Sequence, residues 1–425
     1  MHLLFSCLPL TGHLNPMTAL GRTLHARGHR VTFLSILDAE PAIRAAGLDF
    51  LPLAQTEFPL GEVARTQREL AKLSGLAAVR YTLQEINRTT QMNCEYGPDP
   101  LRELHPDACI LDEASPGMPL VARHLGLPYV HVAAALHFDW STHTPMPLFH
   151  WTHGSSPWHR LRNLAGVALF RHLLQPVIRT MKQEAARLNV TVDWSDESSV
   201  LSNLAHISQT PPEFDFPHPA RPAHFHQTGP FSDHSARIPS SFPWEKLTGE
   251  PLLYASMGTL QNGMEHVFQT IAAAAEAPGR QLVLALGGNL DPARLGPLAP
   301  NTIAVKFAPQ LELLQRARLC ITHAGLNTAL ECLAHGVPMV ALPVTNDQPG
   351  VAARILYTKT GVALPFHKLA TGKLRSLIGE VWNNPGYAEN ARRIQQSLSQ
   401  RNHLQDAAEI VERALNASRA VSPSQ

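Results

Sequence analysis

His13 lies in the run Gly12-His-Leu-Asn-Pro16, just beyond the apolar stretch Leu3 to Leu8. An imidazole titrates near neutrality, so it is well suited to take the proton from a hydroxyl as that hydroxyl attacks an electrophile. Such a ring works best beside a carboxylate that selects its tautomer and stabilises the imidazolium. Asp112, which follows the apolar run Ala108 to Leu111, is the candidate. Asp107 precedes that run and belongs at its opposite end, while Glu113 reads as an exposed loop residue or helix cap. A loop histidine is by itself more often structural than catalytic, so the assignment rests on the setting of His13.

A second group of polar and glycine positions runs from Phe307 to Gln348. Phe307-Ala308-Pro-Gln310 is followed by Thr322-His323-Ala-Gly325-Leu-Asn327-Thr328, then Glu331, Gly336-Val-Pro338 and Asn346-Asp347-Gln348. His323, Ala324 and Gly325 stand where an apolar strand pattern gives way to a helical one. Unpaired backbone N–H groups and the positive end of the helix dipole therefore favour an anion there. Gly325 would permit close approach of a phosphate, and the side chains of His323, Asn327 and Thr328 could donate further hydrogen bonds. Two local readings compete with this one. Thr328 and Glu331 also fit a capping box, and Asp347 ahead of Gln348-Pro349 also fits a helix N-cap. The chain has no Asp-x-Asp triplet of the kind that holds magnesium on a diphosphate.

The ordered series of these positions, with Gly12-His-Leu-Asn-Pro16, resembles the UDP-glycosyltransferase superfamily, inverting enzymes of GT-B fold that include bacterial macrolide- and zeaxanthin-glycosyltransferase-like members. The resemblance implies a metal-independent transfer of a hexose, glucose from UDP-glucose, to a small apolar or aromatic acceptor. It places the catalytic base at His13 and its partner at Asp112. It assigns the donor to Gly258 and Thr259 as a phosphate-facing loop, Phe307 beside the uracil, Gln310 at base or ribose, and His323, Gly325, Asn327 and Thr328 at the diphosphate, with Ala308 also in the donor site. Glu331 falls at the ribose, and Asp347 and Gln348 at the sugar hydroxyls. Many plant members carry tryptophan where Phe307 and Leu326 stand here. The nucleotide sugar is a co-substrate, so no cofactor and no metal are expected.

The elements that must position these residues follow from periodicity. Leu3 to Leu8, His29 to Leu34 and Ala108 to Leu111 read as buried parallel strands. Asn15 as N-cap, Pro16 at the first helical position and Gly28 as the stop predict the intervening helix. From Leu252 the pattern restarts, with strands predicted at Leu252 to Ala255, Gln281 to Leu286, Thr302 to Phe307, Leu319 to Thr322 and Met339 to Leu342. This predicts an α/β protein of two Rossmann-like, doubly wound parallel-sheet domains facing a cleft. The expected divisions are an acceptor domain at 1–230, a donor domain at 231–403, and a C-terminal helix and tail at 404–425 returning towards the first domain, frayed from Ala417. Pro211 to Pro243 reads as the connection. The segment His137 to Arg179 breaks the rhythm with Trp140, Phe149, Trp151 and Trp158, then an apolar stretch from Leu164 to Ile178. It is open to three readings: an acceptor pocket, a weak membrane-surface contact, or a cover over the N-terminal core.

A chain of 425 residues with 35 basic and 34 acidic side chains is large enough for two cores. Its charge is too balanced to draw in nucleic acid. Five single cysteines without metal-ligand spacing suit a reducing cytoplasm, and no apolar run is long enough to span a membrane. The expected state is a cytoplasmic monomer binding a nucleotide sugar and a small acceptor. A GT-B epimerase and a noncatalytic nucleotide-sugar-binding subunit are the alternatives.

Overall fold

The structure, a computed structural model, describes residues 1–71, 73, 75–233, 240–258, 265–288 and 290–421. Its first sheet contains β1 (His2–Ser6), β2 (Arg30–Ser35), β3 (Asp49–Pro52), β4 (Ala108–Asp112), β5 (Tyr129–Ala133), β6 (His206–Ser208) and β7 (Phe225–Gln227) in the order β3-β2-β1-β4-β5-β6-β7. The second contains β8 (Leu252–Ser256), β9 (Gln281–Ala285), β10 (Thr302–Val305), β11 (Ala317–Thr322), β12 (Met339–Ala341) and β13 (Gly361–Ala363), ordered β10-β9-β8-β11-β12-β13. Every pairing is parallel. These are two Rossmann-like domains, and in each the strand order reverses beside the first strand. The crevice at such a reversal, outside the carboxyl ends of the strands, is where doubly wound sheets bind ligands.

Side-chain alternation accounts for the layers. Leu3, Phe5, Ile110 and Val132 pack on one face of the first sheet, and Leu4, Leu34, Cys109 and Leu111 on the other. The second sheet is covered likewise, with Tyr254, Val283 and Cys320 against one layer and Leu253, Leu282 and Ile321 against the other. β3, β5, β6, β7 and β13 were not marked by the sequence patterns. Three of them, β6, β7 and β13, are only three residues long, and β7 lies inside the Pro- and His-rich connection.

The C-terminal helix His403–Val421 crosses back to the first domain. Ala407, Ala408, Val411 and Leu415 join its core, and Glu412 pairs with Arg27 at 2.6 Å and His29 at 3.0 Å. These contacts carry the helix past Ala417, where fraying was expected. Among the described residues, no helix is long and apolar enough to cross a membrane.

The segment after β5 builds a small core of its own. Phe170 stacks between Phe138 at 5.4 Å and Trp140 at 5.5 Å, with Met146 and Val167 beside them. Phe149 stacks on Trp151 at 4.1 Å, and the rings of this segment pack on one another and on the helix Pro157–Leu173, which the helix Gln175–Arg187 follows.

Candidate active site

The helix bearing His13 starts at Thr11, four residues before the expected Asn15 cap. Leu10 is its N-cap, and Asn15 and Pro16 lie inside it. The early start is tolerated because proline costs one hydrogen bond, that to the carbonyl of Gly12, and a side chain from the other domain supplies the donor. Asn327 Nδ2 donates to Gly12 O at 2.5 Å. His13 thereby sits in the first helical turn, where its Nδ1 lies 2.7 Å from Asp112 Oδ2. Asp112 is fully buried at the end of β4 and also accepts from Leu8 N–H at 3.5 Å and Ala114 N–H at 3.2 Å. Burial opposes charge on the ring, but Asp112 beside it and Asp347 beyond raise the His13 pKa above its ordinary value. With Nδ1 on the carboxylate, Nε2 is the ring nitrogen on the side away from Asp112.

Glu113 is not an exposed loop residue or cap. Its carboxylate is buried, bonded to His137 Nδ1 at 3.0 Å and Phe138 N–H at 3.3 Å, with His206 Nε2 3.3 Å away. Burial alone would raise its pKa, but the two rings hold it below the usual carboxylate range. Glu113, His137 and His206 are also the group among the described residues whose metal-ligating atoms lie within 4.8 Å of one another. In the structure that carboxylate anchors the loop after β5.

Across the cleft, β11 runs into His323, Ala324 and Gly325, and the helix Leu326–Ala334 begins with Gly325 as N-cap. The half-buried His323 ring fills the space beside two glycines. A Cβ on Gly258 would come within 2.6 Å of the ring, and one on Gly325 within 2.4 Å. Gly325 thus makes room first for a histidine, and Ala324, at φ 66°, takes the left-handed conformation of the turn. Burial lowers the His323 pKa to about 4, so the ring is neutral at pH 7. Its Nδ1 has no hydrogen-bond partner. Thr259 lies outside the described residues.

Thr328 sits three residues inside this helix, so the capping box is not formed. Instead, Gln310 Nε2 donates to Glu331 at 2.6 Å and approaches Thr328 Oγ1 at 3.4 Å, while Tyr254 O–H donates to Gln310 Oε1 at 2.9 Å. Phe307 is 56% exposed and presents an aromatic face, the other side lying over Gly288, where a Cβ would come within 2.4 Å of the ring. Ala308 follows it, half-buried. Asp347 makes no side-chain cap and accepts from Leu136 N–H of the first domain at 3.0 Å. Gln348 accepts from Val344 and Thr345 N–H through Oε1, which leaves its amide NH2 for a ligand.

Sequence reading missed Gln209, Tyr254 and Gly288. Gln209 is 1% exposed and donates to Ala134 O and to Asn327 Oδ1, each at 2.7 Å, fixing which end of the Asn327 amide faces Gly12. No local pattern marks it. The pair Gly287-Gly288 at the end of an apolar strand was a usable signal for a close approach. A pocket opens in the first domain at Leu8, whose N–H meets Asp112; Leu8, Leu34, Ile36, Phe58 and Met92 line it together with the polar Ser35, Thr89, Asn93 and Ser115.

Residues 106–405 match the family model described as UDP-glucoronosyl and UDP-glucosyl transferase. The chain is 33% identical to a zeaxanthin glucosyltransferase of Pantoea ananas over 96% of its own length and 94% of that protein's. A zeaxanthin glucosyltransferase of Pseudescherichia vulneris is 31% identical over 97% and 98%. Among solved structures, the calicheamicin glycosyltransferase CalG4 superposes with a TM-score of 0.74, at 22% identity and 99% coverage of both chains.

Proposed function

The chain belongs to the family of UDP-glucoronosyl and UDP-glucosyl transferases, and from that premise we propose that it moves glucose from UDP-glucose to a hydroxyl of a small apolar acceptor, with inversion. The observation that carries the reading is the His13–Asp112 contact at the reversal of the first sheet, facing the helix start at Gly325 across the cleft. The acceptor oxygen attacks the anomeric carbon as the bond from that carbon to UDP breaks, and the hydroxyl proton passes to His13 Nε2. Asp112 steadies the imidazolium. The departing diphosphate is met by the N–H groups of the helix start and by His323, a neutral donor that adds no fixed charge.

The Gln310–Glu331 pair is suited to the ribose and Phe307 to the base, with Asp347 and the Gln348 amide near the sugar hydroxyls. Leu8, Leu34, Ile36, Phe58 and Met92 in the pocket next to the dyad suit an apolar part of the acceptor, and the two relatives are named for a hydrophobic alcohol, zeaxanthin. A panel of UDP- and TDP-glucose against apolar alcohols, read by mass spectrometry, tests the proposal. His13→Ala should keep wild-type UDP affinity while losing transfer by about 100-fold or more. Equal turnover by variant and wild type would remove His13 from the mechanism.

A further inference from the structure

A surface helix normally turns a polar face to water and an apolar face to the core. The helix Pro157–Leu173 does not. Its inner face buries Asn163, Gly166, Val167 and Phe170. The opposite face, by the helical period, carries Trp158, Leu161, Leu164, Ala165, Ala168 and Leu169, all exposed. Trp158 is 67%, Leu161 58%, Leu164 54% and Leu169 49% exposed, so these large side chains form a continuous apolar strip over most of the helix. Contiguous apolar surface of this kind marks a binding face.

Charge decides what it binds. Between Asp139 and Glu184 the chain has no acidic residue, although the whole sequence is balanced. The same stretch holds Arg160, Arg162, Arg171, Arg179 and Lys182. By the helical period, Arg160 and Arg171 fall along one border of the apolar strip, and Arg179 and Lys182 are exposed on the next helix, Gln175–Arg187. A second copy of the chain docked on this face by a two-fold axis would bring like charges together. An anionic bilayer offers what the strip lacks: hydrocarbon for the leucines, an interface for the indole, and phosphates for the guanidinium groups.

We propose that the outer face of the helix Pro157–Leu173 is a docking surface for anionic lipid bilayers, on which the protein lies without spanning. Phe138 and Trp140, stacked on the inner face of the same helix, belong to the loop that also supplies Leu136 N–H to Asp347. Docking there places the cleft next to the surface in which an apolar alcohol would be dissolved.

The test is cosedimentation of the full chain with vesicles of equal phosphatidylglycerol and phosphatidylcholine, against vesicles of phosphatidylcholine alone. Wild-type protein should bind the anionic vesicles, and the bound fraction should fall as salt is raised. Leu161→Asp with Leu164→Asp should weaken binding by about tenfold or more, and Arg160→Glu by a smaller factor that depends on salt. The thermal midpoint of each variant should match wild type, because these side chains already face water. Three outcomes would overturn the proposal: no binding to anionic vesicles, equal binding of the double variant, or a wild-type dimer in sedimentation equilibrium that the double variant abolishes.

Discussion

At the scale of single residues, the proposed chemistry rests on how Asp112 sets the state of His13. The carboxylate raises the pKa of the ring, so the neutral form that can accept a proton accumulates only as pH rises through that raised value. The kcat/KM profile should therefore show an acidic limb above the ordinary histidine range. Asp112→Asn removes the negative charge and lowers the ring's pKa. The limb should move to lower pH while the plateau falls by about 100-fold or more, because the imidazolium formed during attack has lost its partner. A profile of unchanged position would mean that Asp112 does not act on the base. His13 and Asp112 were nameable from their places after two apolar runs. Their 2.7 Å contact was not, since 99 positions separate them.

At the scale of elements, two helix starts face each other and are joined by one amide. Pro16 leaves the Gly12 carbonyl without its helical donor, Asn327 supplies one, and Gln209 holds Asn327 in the orientation that makes this possible. The element carrying the proposed base and the element proposed to meet the diphosphate are thereby in direct register. Gln209→Glu would set a carboxylate oxygen against Asn327 Oδ1 and Ala134 O, so the Asn327 amide must turn and point its oxygen at Gly12. The loss of about 1–3 kcal/mol expected for such a buried polar mismatch corresponds to roughly 5- to 150-fold in kcat/KM for the nucleotide sugar. Gln209→Leu should cost less, because it removes a donor without adding a repelling oxygen. Steady-state kinetics of the two variants would check this ordering, and a Gln209→Glu enzyme equal to wild type would refute the joint. Sequence reading put Asn327 at the diphosphate on the strength of its motif and had no means of seeing its second partner.

At the scale of the whole molecule, the helix Gln348–Tyr357 of the second domain is tied to the first at several points. Asp347 accepts from Leu136 N–H, Gly350 N–H donates to Pro147 O at 2.7 Å, and Arg354 grips Asp215 at 2.7 and 2.8 Å. Arg354 is 4% exposed, and Asp215, also held by Arg221, has its pKa lowered by these cations despite a burial that would raise it. Arg354→Leu would leave a buried carboxylate short of its main partner and should cost about 3–5 kcal/mol in urea unfolding. The lowered carboxylate pKa sets the sign of the pH dependence. Its contribution is present above the unfolded value of about 3.9 and lost as pH falls through the folded one, so the gap between variant and wild type should narrow in acid.

Local order along the chain was enough to reveal the two parallel sheets, the places of His13 after β1 and of Asp112 at the end of β4, and the strand-to-helix turn at His323. Each depends on periodicity and turn chemistry within a dozen residues. The short strands β6, β7 and β13 lacked that signal: each has only three residues, and none lies in an uninterrupted apolar run like the one from Met339 to Leu342 that marked β12. The sequence also misjudged where the first helix begins, because the donor that rescues the Gly12 carbonyl lies 315 positions away. Likewise, the apolar stretch after Leu164 could be noticed but not assigned a direction. Only packing decides which side of a helix is covered, and here it covered Phe170 and left Leu161, Leu164 and Leu169 facing outward.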